Sequence, residues 1–179
     1  MGAVLGAFVG DSVGSYLEFV FGELSEAQIK NCMKMPGGGC HKVAPGQITD
    51  DSELALCLLR GIVKGKGVLD LCHVASNYAK WLSSTPFDVG GTCRNGLSKL
   101  TAVNPDPSKG WKAAAKNNGA TSMSNGAMMR ISPLAVFCSK LESIEDVQNA
   151  VRLDVTFTHA KPEMTQLCTA YCILIISLI

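Results

Sequence analysis

The sequence contains few charged residues, and their two signs nearly cancel. Charged side chains make up 17% of the 179 residues, hydrophobic ones make up 47%, and the formal net charge is +1. A disordered chain carries more charge and fewer apolar residues, so this composition is typical of a globular protein. A protein that binds nucleic acid through its phosphates shows a basic stripe, which this sequence lacks. Its length predicts a single domain, residues 1–179.

The chain also lacks the cysteine spacing of a zinc site. Its eight cysteines include no Cys-X-X-Cys pair, and several lie in apolar helical patterns, where a thiol acts as a small hydrophobe. Cys32, Cys40 and His41 come nearest to a zinc cluster, but no fourth ligand follows at a familiar spacing. The first residues show no basic region of a signal peptide. Reduced thiols without an export signal predict a cytoplasmic protein.

Alternation of polar and apolar residues, which would indicate strands, is weak throughout, and the sequence therefore predicts an all-α fold. Asp70, Ser108 and Ser143 are predicted to cap helices. Residues 167–179 are almost wholly apolar but fewer than the roughly 20 that span a bilayer. We expect a buried helix there, one that is cut or that continues in further residues, and no membrane span.

Glycine recurs every fourth residue near the start of the chain, from Gly2 to Gly14. Because glycine weakens a helix, a repeated glycine face indicates close approach of another backbone. The pattern predicts a tightly packed core helix. Asp11 and Glu18 are seven residues apart and are expected to share one face of it.

Thr49, Asp50 and Asp51 place a hydroxyl and two adjacent carboxylates directly before an apolar helical run. Neighbouring carboxylates repel each other unless a cation or several donors hold them, and such hard oxygen ligands suit Mg²⁺, Mn²⁺ or Ca²⁺. Capping is the commoner explanation of the triplet taken alone. In that interpretation Asp50 is the N-cap of the helix and Glu53 its capping-box partner.

Residues 122–130 combine two hydroxyls, an amide, a glycine and finally Arg130. Small polar side chains beside free backbone N–H groups can hold a phosphate or a sugar, and Arg130 can pair with an anion. A turn that satisfies its own backbone groups, with Arg130 in a structural ion pair, explains the same residues. His159 is ambiguous in the same way, since a single histidine is more often structural than catalytic.

Taken in order, these segments resemble the ADP-ribosylglycohydrolase family. The matching residues are Gly6-Ala7-Phe8-Val9-Gly10-Asp11-Ser12-Val13-Gly14 with Glu18, Thr49-Asp50-Asp51-Ser52, Ser124-Asn125-Gly126-Ala127-Met128-Met129-Arg130 and Thr158-His159. Gly90-Gly91-Thr92 also looks like a family loop that contacts ligand. The resemblance covers nearly the whole chain and about the first half to two-thirds of a typical family domain.

The resemblance implies an all-α domain with two Mg²⁺ or Mn²⁺ ions between its helices. It implies hydrolysis of the bond that joins ADP-ribose to a protein side chain or to a related conjugate, and ADP-ribose or an ADP-ribosylated protein as the partner. The implied metal ligands are Thr49, Asp50 and Asp51, and the implied catalytic acids are Glu18, Asp50 and Asp51. The implied substrate-binding residues are Gly91, Ser122, Asn125, Gly126 and His159. Arg130 is expected to support its loop.

The chain departs from the family pattern at its end. Family members carry further aspartate ligands in a C-terminal motif, whereas Glu163 is the one acidic residue after His159. We therefore expect either part of a longer protein or a reduced family member. Two alternatives to a hydrolase follow: a non-catalytic ADP-ribose-binding or structural protein of the same fold, and a helical interaction module in which the aspartate pair only caps a helix.

Overall fold

A computed structural model describes residues 2–179 of the chain. These residues form nine α-helices and no strand, apart from one isolated bridge between Gly38 and Val43. The helices are α1 (Gly2–Gly14), α2 (Glu26–Cys32), α3 (Asp50–Lys64), α4 (Leu71–Ser83), α5 (Gly91–Leu97), α6 (Pro107–Lys116), α7 (Ser132–Cys138), α8 (Ile144–Val155) and α9 (Pro162–Ser177). Two short 3₁₀ turns span Asn118–Ala120 and Asn125–Ala127. The all-α prediction is confirmed.

The core lies where α3, α4, α7, α8 and α9 meet. Leu54 and Leu58 of α3 and Val74 of α4 are fully buried, and burying each such side chain contributes about 1.5–3 kcal/mol. Gly61 permits the close packing of α3 on α4, because a Cβ atom there would lie 2.6 Å from Val74 Cγ2. The packing fixes α3 and therefore the position of the acidic residues at its first turn.

Several helix starts follow local side-chain chemistry. Asp70 accepts hydrogen bonds from the backbone N–H groups at the start of α4, and Ser143 accepts one at the start of α8, as the sequence predicts. The cap of α6 is Asp106 instead of Ser108, because Pro107 occupies the first helical position, where it needs no donor. The sequence interpretation missed α2, although Ser25 and Gln28 form a complete capping box before it.

The capping interpretation of Asp50 is wrong. Thr49 is the N-cap of α3, and its side chain makes no cap hydrogen bond. Asp11 of α1 serves instead, since its Oδ2 accepts from the backbone N–H groups of Thr49 (2.9 Å) and Ser52 (3.2 Å). Glu53 accepts from Trp81 Nε1 at 2.6 Å and does not reach back to the cap. Capping from another helix leaves the first carboxylates of α3 available for other contacts.

Helix α1 also differs from its prediction. Ser12 is its one buried residue among those described, and the helix ends at Gly14, so Glu18 lies beyond it and shares no helical face with Asp11. A Cβ atom at Gly6 or Gly10 would meet nothing within 4 Å. Within residues 2–179 no second backbone approaches this glycine face. It instead lines a cavity of about 890 Å³ beside Tyr171 of α9.

Helix α9 is buried on one face only. Met164, Cys168 and Cys172 enter the core, which confirms the predicted burial for that face, whereas Leu167 and Leu174 are about half exposed. In the described part of the chain, no helix has both the length and the apolar character to cross a membrane.

Candidate functional site

The predicted acids and the predicted ligand loops meet at one cavity of about 330 Å³, a volume within reach of small-ligand pockets. Four parts of the chain form it: the segment after α1, the first turn of α3, the loop that leads into α5 and the loop that leads into α7. The predicted site residues that line it are Glu18, Asp50, Asp51, Gly91, Asn125 and Gly126. An adjoining cavity of about 390 Å³ shares Glu18, Asp51 and Asn125 and adds Asp11 and Thr49.

The carboxylates of Asp50 and Asp51 are crowded together. Burial, together with the negative charges of Asp88 and Asp51, raises the pKa of Asp50 to about 7. Burial and the neighbouring Asp11 raise the pKa of Asp51 to about 6. The backbone N–H of Gly90 donates to Asp50 Oδ2 at 3.3 Å. Within residues 2–179 no lysine or arginine forms an ion pair with either aspartate.

This donor set fits a hard divalent cation. The Thr49 hydroxyl donates to Asp11 Oδ1 at 2.7 Å and lies 3.5 Å from Asp51 Oδ2, so an alcohol and several carboxylate oxygens face one region. Buried carboxylates that repel one another and lack a basic partner are stabilised when a cation neutralises them. Oxygen ligands without nitrogen or sulfur are those that Mg²⁺ and Mn²⁺ prefer.

Glu18 lies at the junction of the two cavities. Burial raises the pKa of its carboxyl group, and the charge of Asp88 adds to the increase. A carboxylic acid whose pKa is raised retains its proton more readily and can donate it to a departing group. Its Oε2 lies 3.3 Å from His41 Nε2.

A chain of hydroxyl groups supports the loop of residues 122–126. Ser122 Oγ lies 3.1 Å from both Thr92 Oγ1 and Ser124 Oγ, and Ser124 Oγ lies 2.9 Å from His159 Nε2. Ser122 and His159 are not among the lining residues of either cavity. His159 is fully buried, and its burial lowers the pKa of the imidazole to about 4, with the charge of Arg130 adding to the effect. The ring is therefore neutral at physiological pH and positions Ser124.

Arg130 is fully buried behind the same loop. It donates from Nε to Asp154 Oδ2 (3.0 Å), and its terminal nitrogens donate to the carbonyl oxygen of Gly126 (2.8 Å), to Thr158 Oγ1 (2.9 Å) and to the carbonyl oxygen of Asp154 (2.9 Å). Tyr78 donates to the other oxygen of Asp154 at 2.7 Å. Of the two explanations of Arg130, the structural ion pair agrees with this geometry, and the expected support of the loop follows from the bond to Gly126.

Gly126 allows the loop to lie against its neighbours. A Cβ atom there would lie 2.5 Å from Cys93 Sγ and 3.3 Å from His159 Cε1. A larger residue would therefore push the loop away from α5. Asn125, exposed and next to it, projects where both cavities meet.

Three acids of this region were not assigned by the sequence interpretation. Asp11 belongs to the first matching run, but its role depends on a contact with α3, which lies 38 residues further along the chain. Asp88 follows no motif, and Asp154 lies within an ordinary amphipathic helix. Asp154 stands among the apolar residues of the helix that precedes Thr158-His159. An acidic residue on an apolar helical face was the sequence signal for a buried partner of Arg130.

Comparisons with known proteins identify the family of the chain. The family model described as ADP-ribosylglycohydrolase matches residues 1–179. The chain is 37% identical over 169 residues to ADP-ribosyl-[dinitrogen reductase] glycohydrolase of Rhodospirillum rubrum, covering 94% of this chain and 53% of that protein. It is 31% identical over 143 residues to an ADP-ribosylarginine hydrolase of Pseudomonas putida (strain GB-1), covering 76% of this chain and 35% of that protein.

A solved structure gives the same result for the fold. The chain of an ADP-ribosylglycohydrolase-related protein complex superimposes with a TM-score of 0.72 at 26% identity, over 98% of this chain and 54% of that one. The chain thus spans about half the length of the R. rubrum relative and of this solved structure.

Proposed function

Because the chain belongs to the ADP-ribosylglycohydrolase family, we propose that it forms the metal- and ADP-ribose-binding part of a hydrolase that uses Mg²⁺ or Mn²⁺. The bond it cleaves joins ADP-ribose to a protein side chain or to a related conjugate. One observation carries the proposal: the buried carboxylate of Asp50 and the half-buried one of Asp51, which have no basic partner within residues 2–179, line the same cavity as Gly90, Gly91 and Asn125. Because the chain spans about half of the R. rubrum relative, the activity of the whole protein belongs to this proposal.

Thr49, Asp50 and Asp51 would hold the metal. A divalent ion bound there supplies positive charge that polarises ribose hydroxyls and orients water. Asp11 keeps the Thr49 hydroxyl in place through its 2.7 Å hydrogen bond, and it caps α3 so that the triplet stays at the helix start. A two-metal site requires further ligands, which we expect from residues other than Thr49, Asp50 and Asp51.

The ligand loops would bind the substrate through backbone and small polar groups. Gly90 and Gly91 are exposed and carry no side chain, so a diphosphate or ribose can approach their backbone closely. Asn125 offers an amide to the same cavity. Ser122 and His159 would act indirectly. Their contacts with Ser124 would fix the position of the loop of residues 122–126 relative to the substrate.

Glu18 would act at the bond that breaks. Departure of a group from the anomeric carbon of ribose creates an oxocarbenium-like transition state, which a nearby carboxylate stabilises. The raised pKa of Glu18 also suits proton donation to the leaving group. Both roles need Glu18 at the cavity, and its position among the lining residues supports them.

The free thiols support a reducing compartment. All eight cysteines are unpaired, including the exposed Cys40 and Cys72. We therefore propose a cytoplasmic location. The names of the relatives support ADP-ribose or an ADP-ribosylated protein as the partner.

Binding and turnover test the proposal separately. Calorimetric titration with ADP-ribose should show affinity that rises at least about tenfold with Mg²⁺, and Asp50→Asn should abolish that rise. Asp70→Asn, which changes an aspartate at the start of α4, is the matched control and should behave like the unchanged protein. Equal binding with and without Mg²⁺ would contradict the metal assignment.

Release of ADP-ribose from an ADP-ribosylated arginine peptide and from a serine peptide then tests hydrolysis. We expect Mg²⁺-dependent release from one of them, and a loss of at least about 100-fold in Glu18→Gln. Metal-dependent binding without release from either peptide would contradict hydrolysis by this chain and favour the non-catalytic alternative.

A further inference from the structure

We call the cavity lined by Glu18, Asp50, Asp51 and Asp88 the acidic cavity. A second group of potential metal ligands lies beside it, and the chemistry of this group differs from that of the aspartates. Glu18, Cys40 and His41 each present one ligand atom, and these three atoms lie within 4.8 Å of one another. They are the one such convergence of three histidine, cysteine or acidic side chains found in residues 2–179. Cys32, the thiol that the sequence groups with Cys40 and His41, is buried and donates to the carbonyl oxygen of Ile29. The structure therefore replaces it with Glu18.

Glycine conformation brings the cysteine and the histidine to Glu18. Gly38 pairs with Val43 through two backbone hydrogen bonds of 2.8 and 3.0 Å, and this tight loop carries Cys40 and His41 at its tip. Gly39 has φ +68, and a Cβ atom there would lie 2.7 Å from the carbonyl oxygen of Ser15. No other residue type permits so close an approach to the segment that precedes Glu18.

The imidazole of His41 is held between two carboxylates. Its Nε2 lies 3.3 Å from Glu18 Oε2 and 3.6 Å from Asp88 Oδ2. This nitrogen is buried and has no hydrogen-bond partner among the described residues. The rings of Phe19 and Phe87 contact the imidazole edge-on, with centroids 6.1 and 5.9 Å away, and restrict its rotation.

We propose that Glu18, Cys40 and His41, with Asp88 beside them, form a binding site for a thiophilic divalent cation of the Zn²⁺ type. A thiolate, an imidazole and one or two carboxylates make up the mixed ligand set that zinc accepts in a tetrahedral arrangement. Mg²⁺ does not favour sulfur or nitrogen ligands, so the two kinds of cation are sorted by ligand chemistry. Binding replaces the proton of the Cys40 thiol, and that proton is released to solvent.

The bound cation would connect three segments of the chain. Glu18 lies in the segment after α1, Cys40 and His41 lie in the glycine loop (residues 37–43), and Asp88 lies in the loop before α5. It would also engage the carboxylate of Glu18 at the rim of the cavity. Zn²⁺ should therefore inhibit hydrolysis, and Cys40→Ser should relieve the inhibition. This consequence rests on the proposed function, whereas the binding itself does not.

Cobalt(II) titration tests the binding without any assay of activity. A Co²⁺–thiolate bond gives a charge-transfer band in the near ultraviolet, and Zn²⁺, which binds more tightly than Co²⁺, should remove it. We expect this band at one equivalent of Co²⁺ in the unchanged protein and its loss in Cys40→Ser. His41→Ala should raise the Co²⁺ dissociation constant at least about tenfold.

The chain provides a matched control. Cys72 is its other exposed cysteine, it also precedes a histidine, and His73 Nδ1 lies 3.1 Å from Asp70 Oδ2 and likewise lacks a hydrogen bond. Only the convergence of three ligand atoms is missing there. Cys72→Ser should therefore bind Co²⁺ as the unchanged protein does. Absence of the band in the unchanged protein, its survival in Cys40→Ser or its loss in Cys72→Ser would overturn the proposal. Because Cys40 is exposed, circular dichroism should show Cys40→Ser to be folded.

Discussion

The two walls of the acidic cavity are built in opposite ways. The inner wall is the loop of residues 122–130, which is held from behind by the fully buried side chains of Arg130, Asp154, Thr158 and His159. The outer wall, residues 2–18, is exposed or half-buried except at Ser12 and Ser15, and Asp11 links it to α3 by hydrogen bonds. The loops of the inner wall are thus fixed before any ligand arrives, whereas the outer wall carries Glu18 on a segment with few buried contacts. Such segments open at a lower free-energy cost than a core does.

The largest expected effect comes from breaking the inner wall at its ion pair. Asp154→Ala leaves the Arg130 guanidinium buried without its partner, and loss of one member of a buried pair costs about 3–5 kcal/mol of the free energy of unfolding. Urea denaturation measures the change. Glu26→Gln, which removes the exposed pair with Lys30, is the control and should have no resolvable effect. A loss below about 1 kcal/mol in Asp154→Ala would mean that the buried pair does not hold this wall.

A methyl group at Gly96 should also weaken the inner wall. A Cβ atom there would overlap the carbonyl oxygen of Phe157 and lie 2.8 Å from Thr158 Cα, both of them backbone atoms that cannot rotate away. Overpacking of this kind costs about 1–3 kcal/mol, and we expect Gly96→Ala to fall near the upper end. Chemical denaturation gives the value, and an unchanged midpoint would show that α5 and the segment around Thr158 are less closely packed than described.

The aspartate pair, which lies between the two walls, predicts a pH dependence in the absence of metal. Asp50 and Asp51 hold protons in the folded protein up to about pH 7 and about pH 6, whereas their ordinary pKa is 3.8. Between about pH 4 and pH 7 the folded state thus binds more protons than the unfolded state, so the free energy of unfolding falls as the pH rises.

Thermal or urea unfolding across that range, measured with a chelator present, should show a decrease of several kcal/mol, since a pKa difference of one between the folded and unfolded states is worth roughly 1.4 kcal/mol. Asp50→Asn should reduce the slope, and Mg²⁺ should restore stability above pH 7 in the unchanged protein only. A stability that rises with pH over this interval would show that the two carboxyl groups are not crowded.

The smallest effect is expected on the outer wall and has the opposite sign. Gly6→Ala adds a methyl group that meets nothing within 4 Å and removes a glycine from a helix interior. It should therefore stabilise the chain by roughly 0.5–1 kcal/mol, seen as a small rise in Tm. A loss of stability instead would indicate that this face lies against a second backbone, as the spacing of its glycines predicts.

The sequence was informative wherever the signal is local. Asp70 and Ser143 correctly predict the starts of α4 and α8, because an N-cap side chain bonds to backbone groups within three residues of itself. The capping box at Ser25 is the same kind of signal and indicates α2. The motif residues of the cavity were found because short runs of unusual polar residues stand out against an apolar background. The predicted site residues line this cavity except for Ser122 and His159, and Thr49, which lines the adjoining one.

Long-range partners could not be read in the same way. Asp11, Asp88 and Asp154 acquire their roles from residues at least 24 positions away. The local sequence does not identify those partners, although Asp154 stands among the apolar residues of α8. Glu18 was placed on α1 because a spacing of seven suits a helix, but the helix ends at Gly14. The closing of the glycine loop on Ser15 depends on positive φ values that a pattern of three glycines permits without specifying.

The capping of α3 by Asp11 has a consequence for measurement. The amide protons of Thr49 and Ser52 are bonded to a carboxylate on a different helix, so their exchange with deuterated solvent registers each departure of α1. The exchange rates of these two amide protons therefore report how often α1 detaches from α3. The Asp11 carboxylate also accepts a hydrogen bond from the Thr49 hydroxyl. Each detachment of α1 would therefore free the Thr49 oxygen, which is one of the proposed metal ligands.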